Sequence, residues 1–85
     1  MKLGAIDQGT TSSRALILCG GKAEVGATFM HQQVYPHSGW VEHDPQELLK
    51  NVLACATALE SVDALGIDNQ GESCLAWDRK TGAPI

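Results

Sequence analysis

No stretch of this chain is apolar for long enough to cross a bilayer. Asp7 also interrupts the N-terminal apolar run before it reaches the length of a secretion signal. A cytoplasmic protein without a membrane partner is therefore expected. Basic residues are few, six against ten acidic ones for a net charge of -4, and Lys2, Arg14, Lys22, Lys50, Arg79 and Lys80 are scattered. No basic stripe is available to neutralise a nucleic-acid backbone, so no nucleic-acid partner is expected. Cys19, Cys55 and Cys74 are odd in number and lack Cys-x-x-Cys spacing, so neither a disulfide framework nor a zinc knuckle is suggested. Each has apolar neighbours and reads as a buried, inert thiol. His31, His37 and His43 do not fall at the spacing of metal ligands on one helix face. Also missing are Gly-x-x-x-x-Gly-Lys-Ser/Thr and Gly-x-Gly-x-x-Gly, so neither a P-loop nor a dinucleotide-binding turn is present.

What is present is Asp7-Gln8-Gly9-Thr10-Thr11-Ser12-Ser13-Arg14, a carboxylate, a glycine, four hydroxyls and a guanidinium between two apolar runs, Leu3 to Ile6 and Ala15 to Cys19. The runs read as the strands of a hairpin. Turn amides and hydroxyls can then converge on phosphate oxygens, and Arg14 can reach a terminal phosphate with forked donors. Asp7 cannot bind an anion directly, but at a strand end beside one it can hold a hydrated Mg²⁺, which keeps several waters and takes one or two carboxylates. On local grounds alone a solvated turn explains the same residues equally well, because Asp, Gly, Thr and Ser are ordinary turn formers.

Eighty-five residues suffice for one small domain, which buries only about 60% of its exposable surface on folding. With no repeat, low-complexity tract or linker, residues 1–85 carry no internal boundary. Gly20-Gly21-Lys22 marks a second turn, and Glu24 to Gln33 places Val25, Ala27 and Phe29 on one face, completing a three-stranded antiparallel meander. Val34 to Gly39 reads as a loop. Asp44-Pro45-Gln46-Glu47 predicts a helix start, with Asp44 as cap, Pro45 in the first turn and Glu47 closing a capping box. The helix should run to about Glu60, packing Leu48, Leu49, Val52, Leu53, Ala56 and Leu59 on the sheet. Ala64 to Asp68 then reads as a short buried strand and Ser73 to Trp77 as another, with no hairpin partner after it. Trp40 and Trp77 read as core or interface anchors, and Glu42-His43-Asp44 as structural.

The octapeptide resembles the first phosphate motif of the FGGY carbohydrate kinases, in the superfamily of actin, hexokinase and the heat-shock ATPases. Its Gln8 and paired threonines are most similar to the glycerol kinase branch. Tyr35-Pro36 followed by Gly39-Trp40-Val41-Glu42-His43-Asp44-Pro45 resembles a segment of the same branch. Gly66-Ile67-Asp68-Asn69-Gln70-Gly71-Glu72, with Trp77 and Thr81-Gly82-Ala83-Pro84-Ile85, is similar to the family's Gly-Ile-x-Asn-Gln-Arg-Glu segment and the turn after it. The three blocks keep their order and span nearly the whole chain.

The resemblance implies an N-terminal fragment of such a kinase. Its fold would be α/β, a partial ribonuclease H-like (actin-like ATPase) domain whose mixed sheet combines the antiparallel meander with one helix and a parallel strand. It further implies Mg²⁺-dependent transfer of the ATP γ-phosphoryl group to a primary hydroxyl of glycerol or a related polyol. Thr10, Thr11, Ser12 and Arg14 match the nucleotide-phosphate positions, Asp7 and Arg14 the catalytic ones, Asp7 the metal-organising carboxylate, and Glu72 with Thr10 the substrate contacts. Gly71 stands where the family has an arginine, a loss of donors that should weaken substrate hold by roughly 1–3 kcal/mol and points to a different polyol or to drift from catalysis. The family's general-base aspartate and nucleotide-closing second domain have no counterpart in these residues, so the isolated chain is expected to lack useful kinase activity. The non-enzymatic alternative is a phosphate-binding or interaction module that self-associates through an unfinished sheet edge.

Overall fold

The computed structural model describes residues 1–85. Three strands, β1 (Lys2–Gln8), β2 (Ser12–Cys19) and β3 (Lys22–Met30), form the expected meander. Two short strands follow, β4 (Gln33–Val34) and β5 (Glu42–His43), which pair with each other as a separate two-stranded ribbon. Helix α1 (Pro45–Ala58) then crosses over to β6 (Ala64–Asn69), which lies parallel to β1. The four-stranded sheet has the order β3-β2-β1-β6, the mixed α/β arrangement expected from the sequence.

Local chemistry explains most of these elements. Asp44 caps α1, its Oδ1 accepting from Gln46 N at 2.9 Å, and Pro45 stands in the first turn where its missing N–H costs nothing. Glu47 does not close the capping box. Its Oε1 accepts instead from Gln32 N at 2.6 Å, tying the helix start to the segment that leaves β3. The helix ends at Ala58, two residues short of the expected end, and Leu59 caps it, its N–H bonding Ala56 O. In β3 the residue Gly26 has no partner: Ala15 faces Ala27 while Leu16 faces Val25, so a bulge sits in this edge strand. The bulge throws Val25 out of the expected apolar face, and it is exposed.

The core lies between α1 and one face of the sheet. Ile6, Ala15, Cys55 and Leu59 are buried at its centre, with Ile17, Ala27, Phe29, Val52, Ala56 and Val62 packed around them. β1 approaches the end of the helix so closely that a Cβ on Gly4 would stand 3.0 Å from Val62 Cγ2, so only glycine fits there without a shift. The helix is rolled away from the leucine stripe: Asn51 and Cys55 face inward, while Leu49 and Leu53 are more than half exposed. Cys55 is a buried thiol as expected, and burial pushes its pKa up. Cys19 and Cys74, expected to be buried, are exposed.

Two further corrections concern the last third of the chain. β6 is not a buried strand, since all six residues are exposed on the sheet's edge. Ser73 to Trp77 is no strand. Trp77 forms an isolated bridge to Pro84, so its hairpin partner lies inside the chain. Asp78 shapes that loop, its Oδ1 accepting from Lys80 N and Thr81 N at 2.8 and 3.0 Å, and these amides hold its carboxyl below the usual carboxylate range.

Candidate functional site

The turn between β1 and β2 carries most of the residues singled out from the sequence. Asp7 and Arg14 are register partners on neighbouring strands and lie on the same sheet face. Since side chains alternate along a strand, this face is opposite to the one holding Ile6 and Ala15 under α1. Arg14 Nη2 stands 3.4 Å from Asp7 Oδ2, with both side chains about half exposed. Such a pair contributes roughly 0–1 kcal/mol, so Arg14 is free to leave it for a stronger anion. Asp68 is the register partner of Asp7 on β6 and faces the same way. Two carboxylates at the C-terminal ends of parallel strands, open to solvent, suit a hydrated Mg²⁺, which takes few protein ligands.

Gly9 to Ser12 closes the turn. Gly9 N donates to Ser12 O at 2.9 Å, whereas Thr10 N and Thr11 N donate to no protein acceptor. Exposed, unpaired amides beside hydroxyls and a guanidinium are the parts of an anion cradle. The carbonyls of the same residues are all engaged. Gln8 Nε2 donates to Gly9 O at 2.9 Å, His43 Nε2 to Thr10 O at 2.7 Å, and His31 N to Thr11 O at 2.8 Å.

Beneath the turn lies a polar network that sequence reasoning missed. Asn51 Nδ2 donates to His31 Nδ1 at 2.8 Å and to Met30 O at 3.1 Å. His31 must then carry its proton on Nε2, which donates to Ser13 Oγ at 3.0 Å. A serine facing a protonated imidazole nitrogen, and itself wholly buried, is no nucleophile–base pair; the network is internal support. Burial pushes the His31 pKa down, partly offset by the Glu47 carboxylate and reinforced by His43. The His31 and His43 rings meet edge to face, their centroids 6.2 Å apart.

The candidate substrate residue Glu72 lies in the exposed turn just after β6. Its connection to the phosphate turn runs through Gln70. Gln70 N donates to Gln8 O at 3.1 Å, Gln70 Oε1 accepts from Thr10 Oγ1 at 2.5 Å, and Gln70 Nε2 donates to Ser73 Oγ at 2.6 Å. The structure thus brings together Asp7, Thr10, Thr11, Ser12 and Arg14, and joins the loop carrying Glu72 to Thr10. Only the motif containing His43 and Gln70 was visible in the sequence. Their contacts to the turn join residues 33 and 60 positions apart, beyond the reach of local pattern.

Comparison with known proteins decides the family. The N-terminal domain of the FGGY family of carbohydrate kinases matches residues 2–85. The chain belongs to that family. Among its curated relatives are glycerol kinases of Acidiphilium cryptum, 49% identical over 98% of this chain, and of Haloarcula marismortui, 41% identical over 98%. The chain spans only 18% of the length of either. The crystal structure of Plasmodium falciparum glycerol kinase with ADP superposes with a TM-score of 0.77 at 28% identity, over 99% of this chain and 19% of that one. A xyloylose kinase from Brucella ovis gives a TM-score of 0.75 at 19% identity, again over 99% and 19%, and shows the shared fold alone. The mixed sheet and its crossover helix are therefore part of the actin-like ATPase fold of the FGGY kinases.

Proposed function

We propose that this chain supplies the phosphate-gripping and polyol-facing side of an ATP-dependent kinase that phosphorylates glycerol or a related polyol. The observation that carries the reading is the pair of unpaired amides, Thr10 and Thr11, set in a turn with the Thr10, Thr11 and Ser12 hydroxyls and Arg14. Glycerol kinases among the relatives and an ADP-bound neighbour support the substrate class and the nucleotide. In the reaction the acceptor's primary hydroxyl oxygen forms a bond to the γ-phosphorus. The bond from that phosphorus to the β–γ bridging oxygen breaks and ADP leaves, while the hydroxyl's proton passes to a general base. Such transfers depend on position and charge neutralisation. The Thr10 and Thr11 amides and the Thr11 and Ser12 hydroxyls would hold phosphate oxygens, with Arg14 on the most terminal ones, while the Thr10 hydroxyl stays on Gln70 Oε1. Asp7, with Asp68 beside it, would hold a hydrated Mg²⁺ that offsets phosphate charge.

Glu72 would accept hydrogen bonds from adjacent polyol hydroxyls, which a carboxylate can do two at a time. A Cβ at Gly71 would meet no atom within 4 Å. The glycine is therefore not forced by a close neighbour, and the polyol contacts at this turn fall to Glu72. Taken alone, these 85 residues are proposed to bind without useful turnover.

Calorimetric titration of the chain with Mg·ATP tests the reading. Binding is expected, and Arg14→Ala should weaken it tenfold or more, from roughly 1.5–3 kcal/mol for a hydrogen bond to a charged group. Affinity unchanged by that substitution would remove Arg14 and the turn from the nucleotide site.

A further inference from the structure

We propose that His43 is a positioning residue that aims the Thr11 amide at the bound phosphate; this rests on the phosphate-binding reading above. Carbonyl and N–H of one trans peptide point in opposite directions, so whatever holds Thr10 O also fixes where Thr11 N–H points. His43 Nε2 holds Thr10 O at 2.7 Å. A carbonyl cannot donate, so the imidazole carries its proton on Nε2. Thr11 N–H, on the far side of the same peptide, is directed away from the ring and donates to no protein acceptor.

The next peptide repeats the device with a backbone donor, His31 N on Thr11 O at 2.8 Å. His43 is delivered to its post by the otherwise unexplained ribbon of β4 and β5, where it is the register partner of Gln33. Its ring is steadied edge to face by the buried His31. Three unlike contacts, a strand pairing, an edge-to-face ring and a hydrogen bond, thus lead to one peptide of the turn, which explains why a two-residue strand and two histidines stand behind it.

Nitrogen position gives the test. A glutamine at 43 places its amide nitrogen near the Nε2 position and can donate to Thr10 O, whereas an asparagine, one methylene shorter, places it near Nδ1 and cannot reach. The chain and its His43→Gln, His43→Asn and His43→Ala variants are titrated with inorganic triphosphate, following backbone amides by ¹⁵N–¹H NMR. In the native chain the Thr10 and Thr11 amides should move on titration. His43→Gln should bind within about twofold of native, while His43→Asn and His43→Ala lose about 2- to 10-fold, the equivalent of one ordinary hydrogen bond. The Thr11 response should shrink in these two while the Ile6 and Ala15 amides keep their native shifts, a split that general loosening would not produce. Should His43→Ala unfold, the Gln and Asn pair still decides. Native-like binding and Thr11 shifts in His43→Asn would overturn the proposal. A native chain whose Thr10 and Thr11 amides ignore triphosphate would sink the phosphate reading instead. In that event the ligand-free Thr11 shift, displaced by His43→Asn and restored by His43→Gln or not, still settles whether His43 orients the peptide.

Discussion

Residues 1–59 and residues 60–85 contain comparable apolar side chains but use them in opposite ways. Every buried residue lies in the first region, Gly4, Ile6, Ser13, Ala15, His31, Asn51, Cys55 and Leu59. None lies beyond Leu59. Leu65, Ile67, Leu75 and Trp77 are each between 45% and 63% exposed, although they are as hydrophobic as the core. The difference is cover. Helix α1 packs on β1, β2 and β3, and the apolar residues under it leave water, whereas β6 is held by ladder bonds and little else. Its start is pinned by reciprocal bonds, Lys2 N to Asp63 Oδ2 and Asp63 N to Lys2 O, both 2.7 Å. Backbone pairing can therefore place a strand without burying it.

The sharpest way to break this contrast is to remove the same side chain from both regions. Ile6→Ala should lower unfolding free energy by about 2–5 kcal/mol, while Ile67→Ala, its register partner in β6, should change it by no more than about 0.5 kcal/mol. Urea unfolding of the two variants measures both. Equal losses would show that β6 is covered in solution.

A smaller effect is expected where the buried region is polar. Asn51→Ala leaves His31 Nδ1 and Met30 O without their donor and should cost roughly 1–3 kcal/mol, read from the same unfolding curves. Because it loosens His31 beneath the turn, it should also speed hydrogen exchange at Ser13, with Leu65 unaffected.

The smallest effect is one of pH. His31 has its folded pKa lowered by burial, so the unfolded chain takes up the proton more readily. The stabilisation is full above the unfolded histidine value, near 6.5, and is lost as pH falls below it toward the depressed folded value. Thermal midpoints should drop between neutral and mildly acidic pH, and His31→Gln should flatten that slope. A slope unchanged by His31→Gln would assign the acid sensitivity to other groups.

Much of this arrangement was legible in the sequence because it is local. The hairpin turns, the Asp44-Pro45 helix start and the phosphate octapeptide are each written in a few consecutive residues. The roll of α1 was not, because hydrophobic spacing favours Leu49 and Leu53 over Asn51, and a buried asparagine is justified only by a histidine 20 positions away. Cys74 and Ser73–Trp77 misled for a related reason. Apolar neighbours signal burial only where another element lies on top, and none of these residues is buried. In the candidate site the gripping groups were visible, while the braces behind them, His43, His31 and Gln70, depend on contacts between distant segments.

The Gly26 bulge makes the two margins of the sheet unequal. A bulged strand bends and twists more strongly, which spoils it as a template for a further partner, whereas the ladder along β6 shows no such irregularity. The two flanks therefore differ in kind: the β3 flank is a poor template for pairing and the β6 flank a regular one, a difference set by the placement of one unpaired glycine.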